Sequence, residues 1–149
     1  GVRSSPAVAD DTVYVGSFDG NVYAVDTEEG SERWVFETND DFVTSPAVAD
    51  ETIYIGQQDA GRLFALDATD GTVRWEFKTG AGIESSATVA DDTVYVGSED
   101  GKIYAIDANQ GTERWSFSSE TAIKSSPAIA DNIVYVGNES GNVFGLMEP

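Results

Sequence analysis

A repeat of 40 to 41 residues is the feature of this sequence that most limits how the chain can fold. Equivalent glycines follow one another at intervals of 40, 41 and 40 residues, at Gly16, Gly56, Gly97 and Gly137. Repeats of about 20–50 residues are typical of architectures in which each unit buries its apolar surface against the next unit. We therefore divide the single repeat array 1–149 into four units, approximately 1–41, 42–82, 83–121 and 122–149.

Each unit contains short apolar runs separated by turn residues, which predicts antiparallel strands, named A to D. In the first unit these strands are expected at roughly 4–9, 12–16, 21–26 and 32–38. The runs are rich in β-branched and aromatic residues and are too short for helices, so we expect no helix. Asp19-Gly20 between two runs is a strong hairpin signal, because both residues accept positive φ.

Four-stranded units at this period predict an all-β fold, a β-propeller built from four-stranded antiparallel blades. The middle strands are apolar on both faces, as expected for a blade that is buried between two neighbours. The fourth unit stops at Pro149 before its outer strand, so the array supplies four blades less one strand. We expect it to form part of a larger propeller.

The charge balance is strongly acidic, with 27 Asp and Glu against 8 Lys and Arg and a formal charge of −19. Binding to nucleic acid or anionic lipid depends on Lys and Arg, so neither partner is expected. No apolar run is long enough to insert into a membrane.

The acidic composition is typical of proteins from salt-loving organisms. Their self-repulsion is screened by salt, so we expect the melting temperature to rise between about 0.1 M and 2 M NaCl. A surface for cations or a cationic partner is the alternative interpretation.

The chain has no cysteine and no histidine. The lack of cysteine excludes disulfides, thiolate nucleophiles and iron–sulfur clusters. The lack of histidine excludes Ser-His-Asp and Cys-His catalysis, and without either residue the usual zinc sites are excluded too. Most common hydrolase and metalloenzyme mechanisms are therefore excluded for this chain alone.

One segment of each complete unit carries a known motif. Ala24, Asp26, Gly30 and Trp34 resemble the tryptophan-docking motif of pyrroloquinoline-quinone (PQQ)-type propeller repeats, Ala-x-Asp-x-x-Thr-Gly-x-x-x-Trp. The next two units repeat it at Ala65, Asp67, Gly71 and Trp75 and at Ala105, Asp107, Gly111 and Trp115. The sequence departs from the motif at Glu29, Asp70 and Gln110, where Thr is usual, and at Gly145 and Met147, where Ala and Asp belong. WD repeats are the alternative, but their Gly-His and Trp-Asp pairs do not occur here.

The motif residues are interpreted as structural rather than as a cofactor box, because they recur in every complete unit. Asp26 ends strand C and is expected to accept hydrogen bonds from the amides of the following turn. Gly30 supplies a left-handed residue. Trp34 lies on the outer strand, where a large flat ring can wedge between adjacent blades.

The resemblance implies two kinds of relative. Quinoprotein dehydrogenases of this family are similar in having a catalytic Asp, a calcium ion held by carboxylate and amide ligands, and often an adjacent-cysteine disulfide. This chain has no cysteine and no unrepeated cluster of Asp, Asn and Glu. We therefore assign no catalytic, cofactor-binding or metal-binding residue and no cofactor, and expect no enzyme activity.

We expect a non-catalytic scaffold or protein-interaction module, similar to the quinone-free members of the family that assist assembly at bacterial envelopes. The resemblance favours an extracytoplasmic or cell-surface location. The alternative is a fragment of a PQQ-dependent dehydrogenase whose active site lies outside this chain.

Two features that resemble sites are better explained as turns. Ser17–Asn21 faintly resembles a calcium loop, but the equivalents of Asn21 are Arg62 and Lys102, whose charges would repel a metal ion. Paired carboxylates suit acid–base catalysis, but here they recur at the same turn, as Asp10-Asp11, Asp50-Glu51 and Asp91-Asp92.

Variation between units is a better guide to function than repetition. The start of strand A carries four different residues at equivalent positions, Arg3, Val43, Glu84 and Lys124. The loops between strands B and C also vary, at Phe18, Gln57-Gln58, Glu99 and Glu139. Both sets are expected on one face at the mouth of the central channel, where exposed loops on a rigid scaffold usually contact partners. Drift in unconstrained loops explains the same variation equally well.

An open arc of blades would expose apolar faces, which soluble monomers rarely do. Propellers of this family resemble seven- or eight-bladed rings, and four blades at the eight-bladed angle subtend half a ring. We therefore expect a protein partner or self-association, in which a twofold axis brings blade 1 of each chain against blade 4 of the other. Strand C of the fourth unit, around residues 142–146, is a further open edge that another chain could pair with.

Overall fold

The computed structural model describes all residues 1–149 and contains fifteen β-strands and no helix. The strands form four antiparallel sheets, called blades 1 to 4 in chain order. Blade 1 contains β1 (Ala7–Ala9), β2 (Thr12–Gly16), β3 (Asn21–Asp26) and β4 (Glu32–Glu37). Blade 2 contains β5 (Ala47–Ala49), β6 (Thr52–Gly56), β7 (Arg62–Asp67) and β8 (Val73–Lys78).

The last two blades continue the pattern with seven strands. Blade 3 contains β9 (Thr88–Ala90), β10 (Thr93–Gly97), β11 (Lys102–Asp107) and β12 (Glu113–Ser118). Blade 4 contains only β13 (Ala128–Ala130), β14 (Ile133–Gly137) and β15 (Val143–Met147).

Within each blade the strands pair in chain order, so each blade is an antiparallel meander. The first strand of every blade is short, and the first strands of neighbouring blades contact one another. The blades therefore radiate from a common axis with their first strands innermost. This arrangement confirms the all-β propeller fold that the repeat period predicts.

The apolar core lies between neighbouring blades. One cluster joins blades 1 and 2 and includes Trp34 and Ile53, and two further clusters fill the next two junctions. The second strands of the interior blades, β6 and β10, are buried at every residue. Their counterparts at the ends, β2 and β14, alternate between more and less buried residues. Burial on both faces thus belongs to the blades that have two neighbours.

The structure corrects the predicted extent of the inner and outer strands. Strand A begins at Ala7 rather than at residue 4, and strand D ends at Glu37 rather than at residue 38. Pro6 has no N–H to donate. The Ser4 hydroxyl accepts the Gly16 N–H at 3.1 Å and donates to the Gly16 carbonyl at 2.8 Å. A side chain therefore takes the place of ladder pairing at this position.

The turns divide into two conformations. The acidic pairs lie at turns, as predicted, and both residues of Asp50-Glu51 are left-handed, with φ of 47° and 55°. Asp19-Gly20 joins β2 and β3 as a hairpin, as predicted, but only Gly20 has a positive φ, at 81°. Gly20 donates to the Ser17 carbonyl at 3.2 Å, so the loop spans four residues instead of the two-residue hairpin that needs two left-handed residues.

Candidate functional site at the channel mouth

The repeated aspartate of the motif belongs to a structural clasp. Asp26 accepts hydrogen bonds from the amides of Glu28 and Glu29 at 2.8 and 2.9 Å, as predicted. Its Oδ2 atom pairs with the guanidinium of Arg33, which also donates to Thr12 Oγ1 at 2.7 Å. The same three-residue contact recurs in blade 2 with Asp67, Arg74 and Thr52 and in blade 3 with Asp107, Arg114 and Thr93. Each clasp ties together strands B, C and D of its blade.

The arginine and threonine of this clasp were missed by reasoning from the sequence. Their signal is positional, since an arginine precedes each tryptophan and a threonine opens strand B in each of the first three units. The Glu29 amide and then Arg33 lower the pKa of Asp26 to about 2. The guanidinium of Arg74 is the main cause that lowers the pKa of Asp67. These carboxylates are therefore charged and engaged in structural bonds.

The tryptophans lie between blades. The Trp34 indole donates to the Ala68 carbonyl of the next blade at 3.0 Å. Its ring lies so close to Gly71 that a Cβ there would be 2.6 Å from the ring. The same contacts recur at the next junction among Trp75, Ala108 and Gly111. Trp115 differs, because its buried indole nitrogen has no hydrogen-bond partner.

The two variable sets lie on one face, as predicted, except for Gln57, which is buried and donates to Thr38 Oγ1 at 2.6 Å. In every blade, a backbone hydrogen bond joins the loop between strands B and C to the segment that precedes strand A. The donor and acceptor residues of these bonds are Phe18 and Gly1, Gln58 and Asp41, Glu99 and Gly82, and Glu139 and Ala122. We call the surface formed by these loops and strand starts the channel-mouth face.

Lys124 gathers three carboxylates on the channel-mouth face. Its Nζ atom lies 2.9 Å from Glu99 Oε1, 3.4 Å from Glu84 Oε1 and 3.5 Å from Glu139 Oε1. Gln58 donates to the same Glu84 oxygen at 3.1 Å. Glu99 is the main cause that raises the pKa of Lys124. The sequence marked these residues as variable but gave no sign that they meet.

The blade 1 end of this face carries the cationic side chain of Arg3. The guanidinium carbon of Arg3 lies 5.5 Å from the centroid of the Phe18 ring, a distance at which a cation is attracted to an aromatic face. Arg3 also lines a shallow groove together with Val43, Gln58 and Glu84. The channel-mouth face therefore carries an arginine without a carboxylate partner at blade 1 and is net negative at blades 3 and 4.

No group of three or more carboxylate, histidine or cysteine side chains is placed to hold a metal ion. In the Ser17–Asn21 loop, the Asp19 carboxylate accepts the Asn21 N–H at 3.1 Å and the Tyr23 hydroxyl at 2.7 Å, so it serves the turn. The structure contains no helix that is long and apolar enough to cross a membrane.

Comparison with known proteins identifies the family. The family model for the outer membrane protein assembly factor BamB matches residues 1–83 and 45–147. The chain belongs to the BamB family of PQQ-type β-propellers. The resemblance to PQQ-type repeats is thereby confirmed. The comparison with curated protein sequences returned no match.

Solved structures share the fold over most of this chain. BamB from Moraxella catarrhalis is 24% identical, with a TM-score of 0.87, over 97% of this chain and 46% of that one. The quinohemoprotein alcohol dehydrogenase from Comamonas testosteroni is 24% identical, with a TM-score of 0.79, over 93% of this chain and 29% of that one. The computationally designed Ika4 protein is 19% identical, with a TM-score of 0.84, over 100% of this chain and 94% of that one. The chain thus spans less than half of the length of the BamB structure.

Proposed function

We propose that this chain is a non-catalytic propeller module that acts as a scaffold for protein interaction. The observation that carries the proposal is a separation of roles between two sets of residues. Polar residues that repeat from blade to blade, such as Asp26 and Arg33, bond to one another and to turns. Residues that differ between blades gather on the exposed channel-mouth face, where binding residues on a rigid scaffold usually lie.

The family supports a more specific setting for this role. Its model carries the name of an assembly factor of the outer membrane. We propose by extension that this chain also serves protein assembly at a cell envelope, with an extracytoplasmic or cell-surface location. The strongly acidic surface suits a high-salt environment, where counterions screen its self-repulsion.

A thermal shift with the quinone tests the non-catalytic assignment. The protein is melted alone, with calcium alone, and with PQQ and calcium together. A ligand present at 100 times its Kd adds about 2.7 kcal/mol of stability, which gives a clear rise in Tm. We expect no rise, and a saturable rise that needs both PQQ and calcium would contradict the proposal.

A fragment of a PQQ-dependent dehydrogenase is the second candidate. It is favoured by the shared fold with a quinohemoprotein alcohol dehydrogenase, of which the chain covers 29%. An active site in the remainder of such an enzyme would leave no trace in these blades. Alcohol oxidation by a longer parent protein loaded with PQQ and calcium, assayed with an artificial electron acceptor, distinguishes the two candidates, since a scaffold gives no turnover.

We also propose that self-association completes the propeller as a half-ring dimer of eight blades. The alignment supports this arrangement, because nearly the whole chain matches 46% of the BamB chain, so that structure is about twice as long. Light scattering in molar salt tests the dimer. Its expected mass is twice 15.9 kDa, and a monomer at micromolar concentration would contradict it.

A further inference from the structure

At each junction between blades, an apolar side chain packs against a glycine of the preceding blade and fills the space that a Cβ on that glycine would need. We call this side chain the plug and the space at the glycine the gap. Ile83, which precedes strand A of blade 3, is fully buried against Gly56 at the end of β6, and a Cβ on that glycine would lie 2.5 Å from Ile83 Cγ2. Equivalent contacts join Phe42 to Gly16 and Ile123 to Gly97. Every internal junction is therefore built from an apolar plug on one blade and a glycine gap on the preceding blade.

The two ends of the arc carry one unused plug and one unused gap. Val2 is the equivalent of Ile83, and it is 60% exposed. Gly137 is the equivalent of Gly56, and a Cβ built on it meets nothing nearer than 3.7 Å. The plug lies on blade 1 and the gap on blade 4, which is the order found at every internal junction.

The hydrogen bonds of the internal junctions are also unused at the ends. At each internal junction, the plug residue donates its N–H to the preceding B–C loop, as Ile123 does to the Ser98 carbonyl at 3.0 Å. A serine N–H of each blade donates to a serine hydroxyl of the next, as Ser5 does to Ser45 at 2.9 Å. On blade 1, the Val2 N–H and the Ser5 hydroxyl do not make these bonds. On blade 4, the Ser126 N–H and the Asn138 carbonyl do not make them, and that carbonyl accepts only the Gly141 N–H.

Charge follows the same pattern. Lys124 at the start of strand A in blade 4 pairs with Glu99 on the B–C loop of blade 3 at 2.9 Å. The equivalents one blade further on are Arg3 and Glu139. Arg3 has no carboxylate partner, and Glu139 reaches only the edge of the Lys124 cluster at 3.5 Å. A cation on blade 1 therefore matches an anion on blade 4.

We infer that blade 4 of one molecule binds blade 1 of a second copy of this chain, with Val2 inserted against Gly137 and Arg3 paired with Glu139. This joint deepens the proposed half-ring dimer and rests on it. It repeats the contacts of the internal junctions, so the second copy takes the place that a following blade would occupy. Two such joints related by a twofold axis close the ring, and every end feature described above acquires a partner.

The Gly137→Val substitution tests the joint without disturbing the blade that carries it. The position has neither a positive φ nor a close neighbour, so valine fits a β-strand there. The added side chain fills the gap that Val2 of the second copy needs. We expect the dimer Kd to rise at least tenfold in sedimentation equilibrium, while the Tm of the monomeric form is retained.

Three further variants complete the design. Val2→Asp places a charge in the joint and is expected to weaken the dimer, whereas Val73→Asp, at another exposed valine on the outer strand β8, should leave it intact. The double variant Val2→Gly with Gly137→Val moves the side chain to the other partner and should restore part of the affinity.

The outcomes separate the joint from the dimer itself. A wild-type monomer overturns both the half-ring dimer and this inference. A dimer that tolerates Gly137→Val and Val2→Asp overturns the joint alone and places the contact elsewhere. An open series of larger species that Gly137→Val abolishes supports the joint and overturns closure into a ring. Loss of the dimer with Val73→Asp as well overturns the assignment to these residues.

Discussion

The interior blades and the end blades have nearly the same sequence and differ in what surrounds them. β10 reads Thr-Val-Tyr-Val-Gly in blade 3, and β2 reads the same in blade 1. Every residue of β10 is buried, whereas β2 is buried only at alternate residues. The identical strand thus acquires its second buried face from a neighbouring blade. Burial in this fold is a property of the junction, and one blade cannot supply it alone.

The junctions differ in the same way. At the first two, the Trp34 and Trp75 indoles donate to carbonyls of the next blade. At the junction between blades 3 and 4, the buried indole nitrogen of Trp115 has no acceptor. A tryptophan at the same position of the repeat therefore contributes differently according to the blade that follows it.

The plug residues give the largest expected contrast. Ile83→Ala should destabilise the fold by about 2–5 kcal/mol, because it empties a fully buried site. Val2→Ala, made in a monomeric Gly137→Val background, should change stability by less than about 0.5 kcal/mol, because Val2 is exposed there. Urea unfolding followed by tryptophan fluorescence measures both. Equal losses would show that the end blade is buried in the monomer.

The turn glycines give the next contrast. Gly30 and Gly71 both have positive φ, but nothing lies within 4 Å of a Cβ on Gly30, whereas a Cβ on Gly71 would meet the Trp34 ring at 2.6 Å. Gly30→Ala should cost about 1 kcal/mol for the left-handed conformation. Gly71→Ala should cost about 1–3 kcal/mol more, because the ring must move. Thermal unfolding of the two variants checks this order, and similar Tm values would argue against tight packing of Trp34.

The tryptophans themselves give a smaller contrast. Trp75→Phe removes a 2.8 Å hydrogen bond to the Ala108 carbonyl, whereas Trp115→Phe removes a buried nitrogen that has no partner. We expect Trp75→Phe to be the more destabilising by about 1–2 kcal/mol. Urea midpoints of the two variants provide the comparison. A larger loss for Trp115→Phe would mean that its indole is satisfied in solution.

The acid dependence of the clasp gives the smallest contrast. The pKa of Asp26 is lowered from 3.8 to about 2. A carboxyl whose pKa is lower in the folded state adds stability above its unfolded pKa, and that contribution is lost as the pH falls through about 2. Asp26→Asn should therefore lower the Tm more at about pH 5 than at about pH 2. Met147 holds the equivalent position in blade 4, so Met147→Ala is the matched control and should show no such dependence.

Comparing each variant with the wild type at the same pH removes the general effect of acid on this chain. Protonation relieves the self-repulsion of a formal charge of −19, which opposes the loss of the clasp. A Tm difference between wild type and Asp26→Asn that stays constant across this pH range would contradict the role of the clasp.

Much of the fold could be predicted from the sequence because its determinants lie close together along the chain. Short β-branched runs gave β2 and β3 of blade 1 with their observed bounds. The recurrence of Gly30 and its equivalents marked the left-handed turn positions. The inner strand was predicted to begin three residues too early. The Ser4 hydroxyl replaces ladder bonds there, and the apolar pattern does not indicate this.

The candidate site was only half predictable. The position of the channel-mouth face followed from where the loops and strand starts differ between units, since repeats place equivalent residues on equivalent surfaces. The meeting of Lys124 with Glu84 and Glu99 did not follow, because these residues lie 40 and 25 positions away and their distance depends on the angle between blades. The clasp was missed for a simpler reason, since an arginine on an outer strand resembles an ordinary surface residue.

The sequence by itself determined the order of the strands, the positions of the turns, the number of units and the excess of negative charge, because each depends on local backbone preference, on period or on composition. Only the tertiary structure decided which of the equivalent residues are buried against a neighbouring blade. Ile83 and Val2 occupy the same place in the repeat, yet one is fully buried and the other is 60% exposed. The physical reason is that a blade buries its faces against its neighbours, so the role of a repeated residue depends on which blade stands next to it.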